Sequence, residues 1–397
     1  MGQAHYDFSQ VIDRSGTHTF KCSTLKQDYG RDDLIPLWIA DMDFLVCPAI
    51  TEAMHHRICG HPIYGYTVPC DSYWQSIIDW ERRRYGFEFT REQMVYIPGI
   101  VAGFGLVVNH FTKPGDKIVI QQPVYHPFKN VIVGNDRQVV NNALIPTPDG
   151  SYRMDLDGLE RIFATEKPRL MVLCNPHNPI GLAWEADVLR QVATLAARYG
   201  VPVFSDEIHG DLMLYGNRHV VFATVSDEAA SVAITMGAPS KTFNIAGIKS
   251  SWCVIKNDEL RKPFYHWLET NELCSPNFIA MVATEAAYTK CDQWLDECLR
   301  YIEDNVEYVI DYCDKHIPGI RAIRPQASFL VWLDCSQLPI SHEQVVDLFV
   351  NHAHLALNDG LMFGPDGHHH MRLNVGTPRC ILEKAMHQLE MAIAGKM

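Results

Sequence analysis

A series of short apolar runs, each closed by polar or turn-forming residues, constrains the fold of this chain more than any other feature. Met94-Val95-Tyr96-Ile97 leads into Pro98-Gly99, and Lys117-Ile118-Val119-Ile120 into Gln121-Gln122-Pro123. Leu170 to Cys174 leads into Asn175-Pro176-His177-Asn178-Pro179, and Val201-Pro202-Val203-Phe204 into Ser205-Asp206-Glu207. Val232 to Met236 leads into the loop that carries Ser240-Lys241-Thr242. Runs this short and this continuously apolar read as strands buried on both faces. The stretches between them are amphipathic: Glu185 to Tyr199 sets Val188, Leu189, Val192, Leu195 and Ala196 at helical spacing. Strand-helix alternation predicts an α/β chain with a largely parallel sheet covered on both faces. Such sheets bind ligands outside the carboxyl ends of their strands, where the polar residues of these runs fall.

From about residue 290 the pattern changes. A long helical segment, Trp294 to Lys315, precedes the strand candidates Phe329 to Leu333 and Met371 to Val375. We read a smaller α+β domain over residues 286–397, joined by an N-terminal segment, 1–45, with a large domain over 46–285. A chain of 397 residues has room for about two cores. Its net charge of −13 argues against nucleic acid or an anionic membrane as partner. The twelve cysteines are scattered without Cys-x-x-Cys spacing, which predicts free thiols in a reducing cytoplasm rather than disulfides or a zinc site. No signal peptide and no membrane span are expected. His368-His369-His370 reads as a solvated loop, because three adjacent imidazoles cannot face one ion; no metal is expected.

Lys241 stands among small and apolar residues at the end of a buried run. Desolvation disfavours its ammonium form, which makes it a nucleophile near physiological pH. Taken singly, each further candidate has a plain explanation: Asp206 caps a helix, Asn178 closes a turn, Tyr125 is core, Arg372 makes a surface ion pair. Taken in order, they match the needs of pyridoxal phosphate: an amine for the aldehyde, an acid for the pyridine nitrogen, a donor to the phenolic oxygen, a stacking ring and a phosphate cradle. Lys241, Asp206, Asn178 and Tyr125 answer the first four. Gly99-Ile100-Val101, opening an apolar helix, supplies N–H groups for the phosphate. This turn lacks the Gly-x-Gly-x-x-Gly spacing of a nicotinamide site.

The chain resembles the fold-type I pyridoxal phosphate enzymes of the aspartate aminotransferase superfamily, within the MalY/PatB cystathionine β-lyase group of carbon–sulfur lyases. The resemblance spans the chain and rests on Ala40-Asp41-Met42-Asp43-Phe44, Tyr64-Gly65-Tyr66, Pro123-Val124-Tyr125, Asn175 to Gly181, Ser205-Asp206-Glu207-Ile208-His209, Ser240-Lys241-Thr242-Phe243-Asn244 and Arg372 to Gly376. It implies an aspartate aminotransferase-like large domain with a mostly parallel seven-stranded sheet and a smaller α+β domain. It implies that Lys241 is the Schiff-base lysine and the base at Cα, that Arg372 holds the substrate carboxylate, and that Ala40 and Tyr64 line the substrate site. Tyr66 would reach the phosphate of a partner subunit in a homodimer with shared sites. His209, on the first turn of an expected helix, would approach the phenolic oxygen or Asp206. Two positions depart from the usual pattern. Ala238 stands where serine often binds phosphate and Lys249 where arginine often does, which leaves Ser240 and Lys249 as the candidates there. His126, where relatives carry a second tyrosine, is either the acid for a departing thiolate or a structural histidine.

The implied reaction is α,β-elimination from L-cystathionine or another L-cysteine S-conjugate, giving a thiol, pyruvate and ammonia. An aminotransferase of the same fold shares the first steps and stays open as the alternative. A non-catalytic pyridoxal phosphate-binding regulator is a third reading, disfavoured by the intact Lys241, Asp206 and Arg372.

Overall fold

A computed structural model describes residues 6–396. Seven strands form the larger sheet: β1 (Met94–Ile97), β2 (Lys117–Ile120), β3 (Gln138–Asn141), β4 (Leu170–Cys174), β5 (Val203–Asp206), β6 (Ala233–Gly237) and β7 (Ser251–Val254). Their spatial order is β1-β7-β6-β5-β4-β2-β3. Every neighbouring pair is parallel except those made by β7, which runs antiparallel to both β1 and β6. The sheet is therefore mixed but mostly parallel, as expected. The carboxyl ends of β1, β2, β4, β5 and β6 share one edge, and the start of β7 joins them there.

The strands at the centre are buried throughout, because helices cover both faces. One close approach is set by glycine. A Cβ on Gly103 would come within 2.4 Å of Ile97 and 2.7 Å of Met236. Only a bare Cα lets α3 (Ile100–Phe111) lie this near β1 and β6. Helices α1 (Pro48–Gly60) and α2 (Asp71–Tyr85) pack against α6 (Phe278–Lys290). Between α2 and α6 in the chain lie α4 (Ala186–Tyr199) and the single turn α5 (Pro239–Thr242), which carries Lys241.

A second, antiparallel sheet is built from β8 (Arg321–Ile323), β9 (Leu330–Asp334), β10 (Asn358–Asp359) and β11 (His370–Asn374), in the order β8-β9-β11-β10. It is flanked by α7 (Asp292–His316) and α8 (Arg379–Lys396). The N-terminal segment joins this part: Ile35-Pro36 pairs in parallel with Leu355-Ala356, and Asn374 Nδ2 donates to the carbonyls of Ile39 and Asp41 at 2.7 Å.

Of the seven strands of the larger sheet, sequence periodicity locates five to within two residues and misses two. β3 is an exposed edge strand with no apolar run to mark it. β7 (Ser251-Trp252-Cys253-Val254) opens on serine and follows the lysine loop directly, so it reads as part of that loop. The histidine run is not one solvated loop either. His368 is exposed, His370 begins β11, and His342 packs on the ring of His368 at 4.9 Å. No metal-binding group of His, Cys, Asp or Glu occurs among the described residues.

Candidate active site

The shared strand edge encloses a cavity of about 320 Å³, and the residues singled out in the sequence converge on it. Lys241, Asp206, Asn178, Tyr125, His209, Ser240, Ala40 and the Gly99-Ile100-Val101 turn all line its wall. Strand ends deliver them: Asp206 closes β5, the 175–178 turn follows β4, and α5 follows β6. Gly99 takes φ +122°, a conformation that favours glycine, and its strand-to-helix turn aims the first N–H groups of α3 at the cavity.

Lys241 is half-buried, and its amine donates to the carbonyl of Ala40. Burial pushes its pKa down to about 8; the nearby Asp41 and Asp206 pull the other way and Arg372 adds to the fall. Asp206 is buried and pushed up to about 7 by that burial. One of its oxygens accepts from the Ile208 N–H at 3.1 Å, and no cationic side chain forms an ion pair with it among the described residues. His209 does not lie on a helix as expected but in a turn stabilised by Gly210 N–H to Glu207 O. Burial, then Lys241 and Arg372, push its pKa down to about 3, so it is neutral, and its Nδ1 has no partner among the described residues. The Tyr125 phenol is raised by burial and stays protonated.

Arg372 is buried beside the cavity rather than on its wall. It donates from Nη1 to Asn178 Oδ1 at 3.0 Å, and from Nη2 to the Trp38 carbonyl at 2.7 Å and to Asn358 Oδ1. The ring of Phe363 lies 4.9 Å below its guanidinium. Its Nε is buried without a partner. The contact with Arg372 occupies Asn178 Oδ1 and so leaves the Nδ2 amide of Asn178 as the donor that faces the cavity.

Besides Arg372, three expected residues are not on this wall. His126 sits at the start of the Pro127–Gly134 helix, edge-on to Phe363 at 5.7 Å. Burial and then Arg372 push it down to about 4, so it is a neutral imidazole behind Tyr125, and the geometry gives the thiolate-acid reading no support. Tyr64 and Tyr66 lie in the open segment between α1 and α2. Tyr64 stacks on Phe278 at 5.3 Å and donates to the Ile58 carbonyl, while the Tyr66 ring is fully exposed. Conversely, Ala102, Cys174, Ile208, Ala246, Lys249, Ser250 and Ser251 line the cavity. Of these the sequence marked only Lys249 as a ligand candidate. Ser250 and Ser251 come with β7, whose antiparallel course no local pattern announces.

Residues 32–389 match the family model for aminotransferase class I and II. The chain belongs to that family. It is 37% identical to cystathionine beta-lyase PatB of Bacillus subtilis (strain 168), over 98% of this chain and 100% of the relative. Identity to protein MalY of Escherichia coli (strain K12) is 32%, over 98% and 99% of the two chains. Among solved structures, the PLP-bound C-S lyase from Staphylococcus hominis superposes with a TM-score of 0.90 at 31% identity, covering 98% of each chain. The expected membership, fold and group are borne out.

Proposed function

We propose that this chain is a pyridoxal phosphate-dependent carbon–sulfur lyase, acting on L-cystathionine or other L-cysteine S-conjugates to give a thiol, pyruvate and ammonia. The observation that carries this reading is full-length similarity to a relative named cystathionine beta-lyase, joined to one cavity that gathers Lys241, Asp206, Asn178 and Tyr125.

The residues present fit the cofactor. Asp206 is a buried carboxylate without a cationic partner among the described residues, which suits a protonated pyridine nitrogen. The N-terminus of α3, with Ser240 and Lys249 on the same wall, suits a phosphate dianion. When bound, pyridoxal phosphate supplies an electrophilic carbon for amines and a ring that delocalises the electron pair left at the substrate Cα.

The chain's own groups do the rest. With its pKa pushed down to about 8, Lys241 holds roughly a tenth of its amine free at neutrality, far more than an ordinary lysine, able to bind the cofactor carbon and then to take the Cα proton. Asp206 would keep the proton on the ring nitrogen, Asn178 would donate to the phenolic oxygen, and Tyr125 would cover the ring face. Arg372, buried beside the cavity with its Nε–H unpartnered, is the cation for a substrate carboxylate. The electron pair left at Cα forms a Cα=Cβ bond as the Cβ–S bond breaks and sulfur leaves with that bond's pair; addition of water to the released enamine gives pyruvate and ammonia. Lys241 carrying the Cα proton, and the protonated phenol of Tyr125, are the wall groups able to neutralise the departing sulfur.

We further assign the chain to the cytoplasm, as a homodimer with three parts: 1–45, 46–285 and 286–397. Ile63, Tyr64, Tyr66 and Val68 are all exposed on one segment, an apolar surface that supports pairing with a second copy. Among the described residues no helix is long and apolar enough to cross a membrane. Incubating the pure yellow holoenzyme with L-cystathionine and, separately, with an amino acid and a 2-oxo acid tests the reaction. Pyruvate with thiol is expected; amino-group exchange without thiol overturns the lyase reading in favour of a transaminase. The Lys241→Ala variant is expected to lose both turnover and the visible absorbance of the lysine-bound cofactor, and full activity in it would sink the assignment.

A further inference from the structure

The carbonyl that accepts from Lys241 belongs to Ala40, and the chain on either side of Ala40 is held from two directions. On the inner side Asn374 Nδ2 takes the carbonyls of Ile39 and Asp41, Asn244 Nδ2 takes those of Met42 and Phe44, and Asp43 N–H donates to Gly376 O. On the outer side four charges interlock. Arg14 grips Asp41 with both Nη atoms at 2.9 Å and reaches Asp43 Oδ1 at 2.6 Å. Lys21, whose side chain is wholly buried, donates to Asp43 Oδ2 at 2.8 Å and to the Asp41 carbonyl at 3.3 Å, with Asp41 Oδ1 at 3.6 Å. Lys21 is itself anchored where its carbonyl accepts from Trp38 Nε1 at 2.9 Å.

A buried ammonium needs ionic partners, and Lys21 has them in Asp41 and Asp43. A buried ion cluster can fix one arrangement of the chain, and the arrangement this one spans is that of residues 39–43 against Lys241. A second cavity, about 630 Å³, lies along this segment and shares Ala40, Lys241 and Ala246 with the first. Arg14, Asp41 and Asp43 line it, so the ion cluster borders the space next to the reacting amine.

We infer that Arg14 and Lys21 are positioning residues, which act through Asp41 and Asp43 to hold the Ala40 carbonyl and the Asp41 charge beside Lys241. This rests on reading Lys241 as the cofactor-binding lysine. The groups facing Lys241 are Asp41, Asp206, Arg372 and His209, with Tyr125 and Lys249 on the same cavity wall. The Asp41 carboxylate favours a cationic Lys241 nitrogen, and Arg14 and Lys21 hold that carboxylate in place. Removing the carboxylate and releasing it by removing Arg14 therefore move the Lys241 titration in the same direction, to lower pH.

The test is a pH titration of holoenzyme colour, which follows protonation at the Lys241 nitrogen independently of turnover. Asp41→Asn is expected to move the midpoint to lower pH, by up to about one unit, and Arg14→Gln to move it the same way by a smaller amount. Arg14→Lys, which keeps the charge but loses the two-pronged grip, is expected to fall between Arg14→Gln and wild type. Should Arg14→Gln fold poorly, Arg14→Lys carries the test with Asp41→Asn as the reference for the sign. A cluster that merely glued the fold would lower thermal stability and leave the Arg14 variants at the wild-type midpoint; that result, or a shift of Arg14→Gln to higher pH, overturns the proposal. A wild-type protein with no pH-dependent colour would instead refute the assignment of Lys241.

Discussion

Asn244 ties the lysine loop to the N-terminal segment, and its removal has a calculable cost. The residue lies three positions after Lys241 in the left-handed region, at φ +58°. Its side chain makes three bonds of 2.9 Å: the Met42 N–H donates to Oδ1, and Nδ2 donates to the carbonyls of Met42 and Phe44. Met42 and Phe44 are buried. At about 1 kcal/mol net for each bond, truncation to alanine costs roughly 3 kcal/mol. Alanine also resists the left-handed conformation that asparagine tolerates, which adds about 1 kcal/mol. Glycine removes the bonds without that resistance, so Asn244→Gly should cost roughly 3 and Asn244→Ala roughly 4 kcal/mol. Much of this cost falls on local opening of residues 40–44, so hydrogen exchange is the fitting assay. At about 1.4 kcal/mol per tenfold change, the Met42 amide should exchange roughly 100-fold faster in Asn244→Gly and faster again in Asn244→Ala. Unchanged exchange at Met42 in both variants would refute the clamp; equal exchange in the two would refute only the backbone contribution.

Gly103→Ala should cost about 1–3 kcal/mol through overpacking against Ile97 and Met236, against a helix-propensity gain of about 1 kcal/mol. Displacement of the α3 N-terminus should also weaken pyridoxal phosphate affinity, measured by fluorescence titration of the apoprotein; wild-type affinity and melting temperature would contradict the close approach. Asp206 has a folded pKa above its unfolded carboxylate value, so the folded apoprotein binds the extra proton. Its contribution to apoprotein stability therefore falls as pH rises from about 4 to about 7, and is fully unfavourable above that. Asp206→Asn should flatten this slope in thermal melts and abolish holoenzyme turnover; an unaltered slope would show that burial is not what perturbs Asp206. If Tyr66 serves the partner's site, Tyr66→Ala should weaken phosphate retention, and mixing it with Lys241→Ala should restore one functional site per mixed dimer. No complementation on mixing would count against shared sites.

The chemistry of the cavity was legible in the sequence because its residues sit at the ends of apolar runs, and strand ends are where a parallel sheet exposes side chains to a ligand. Lys241, Asp206, Asn178, Tyr125 and the Gly99 turn were readable for that reason. The partners of Arg372 were not. Trp38, Asn178 and Asn358 come from three distant stretches, and no local spacing joins them. Likewise nothing near His126 tells that its ring lies behind Tyr125, beside Phe363 and Arg372.

What the sequence determined by itself is the alternation of strands and helices and the identity of the reacting groups, because both depend on local pattern and side-chain chemistry. Tertiary structure alone decided the antiparallel insertion of β7, which brings Ser250 and Ser251 to the cavity. It also decided the interlock of Arg14 and Lys21 with Asp41 and Asp43 next to Lys241. Hydrogen bonds and ion pairs between segments hundreds of residues apart leave no periodicity in the chain, and they exist only once folding has brought the segments together.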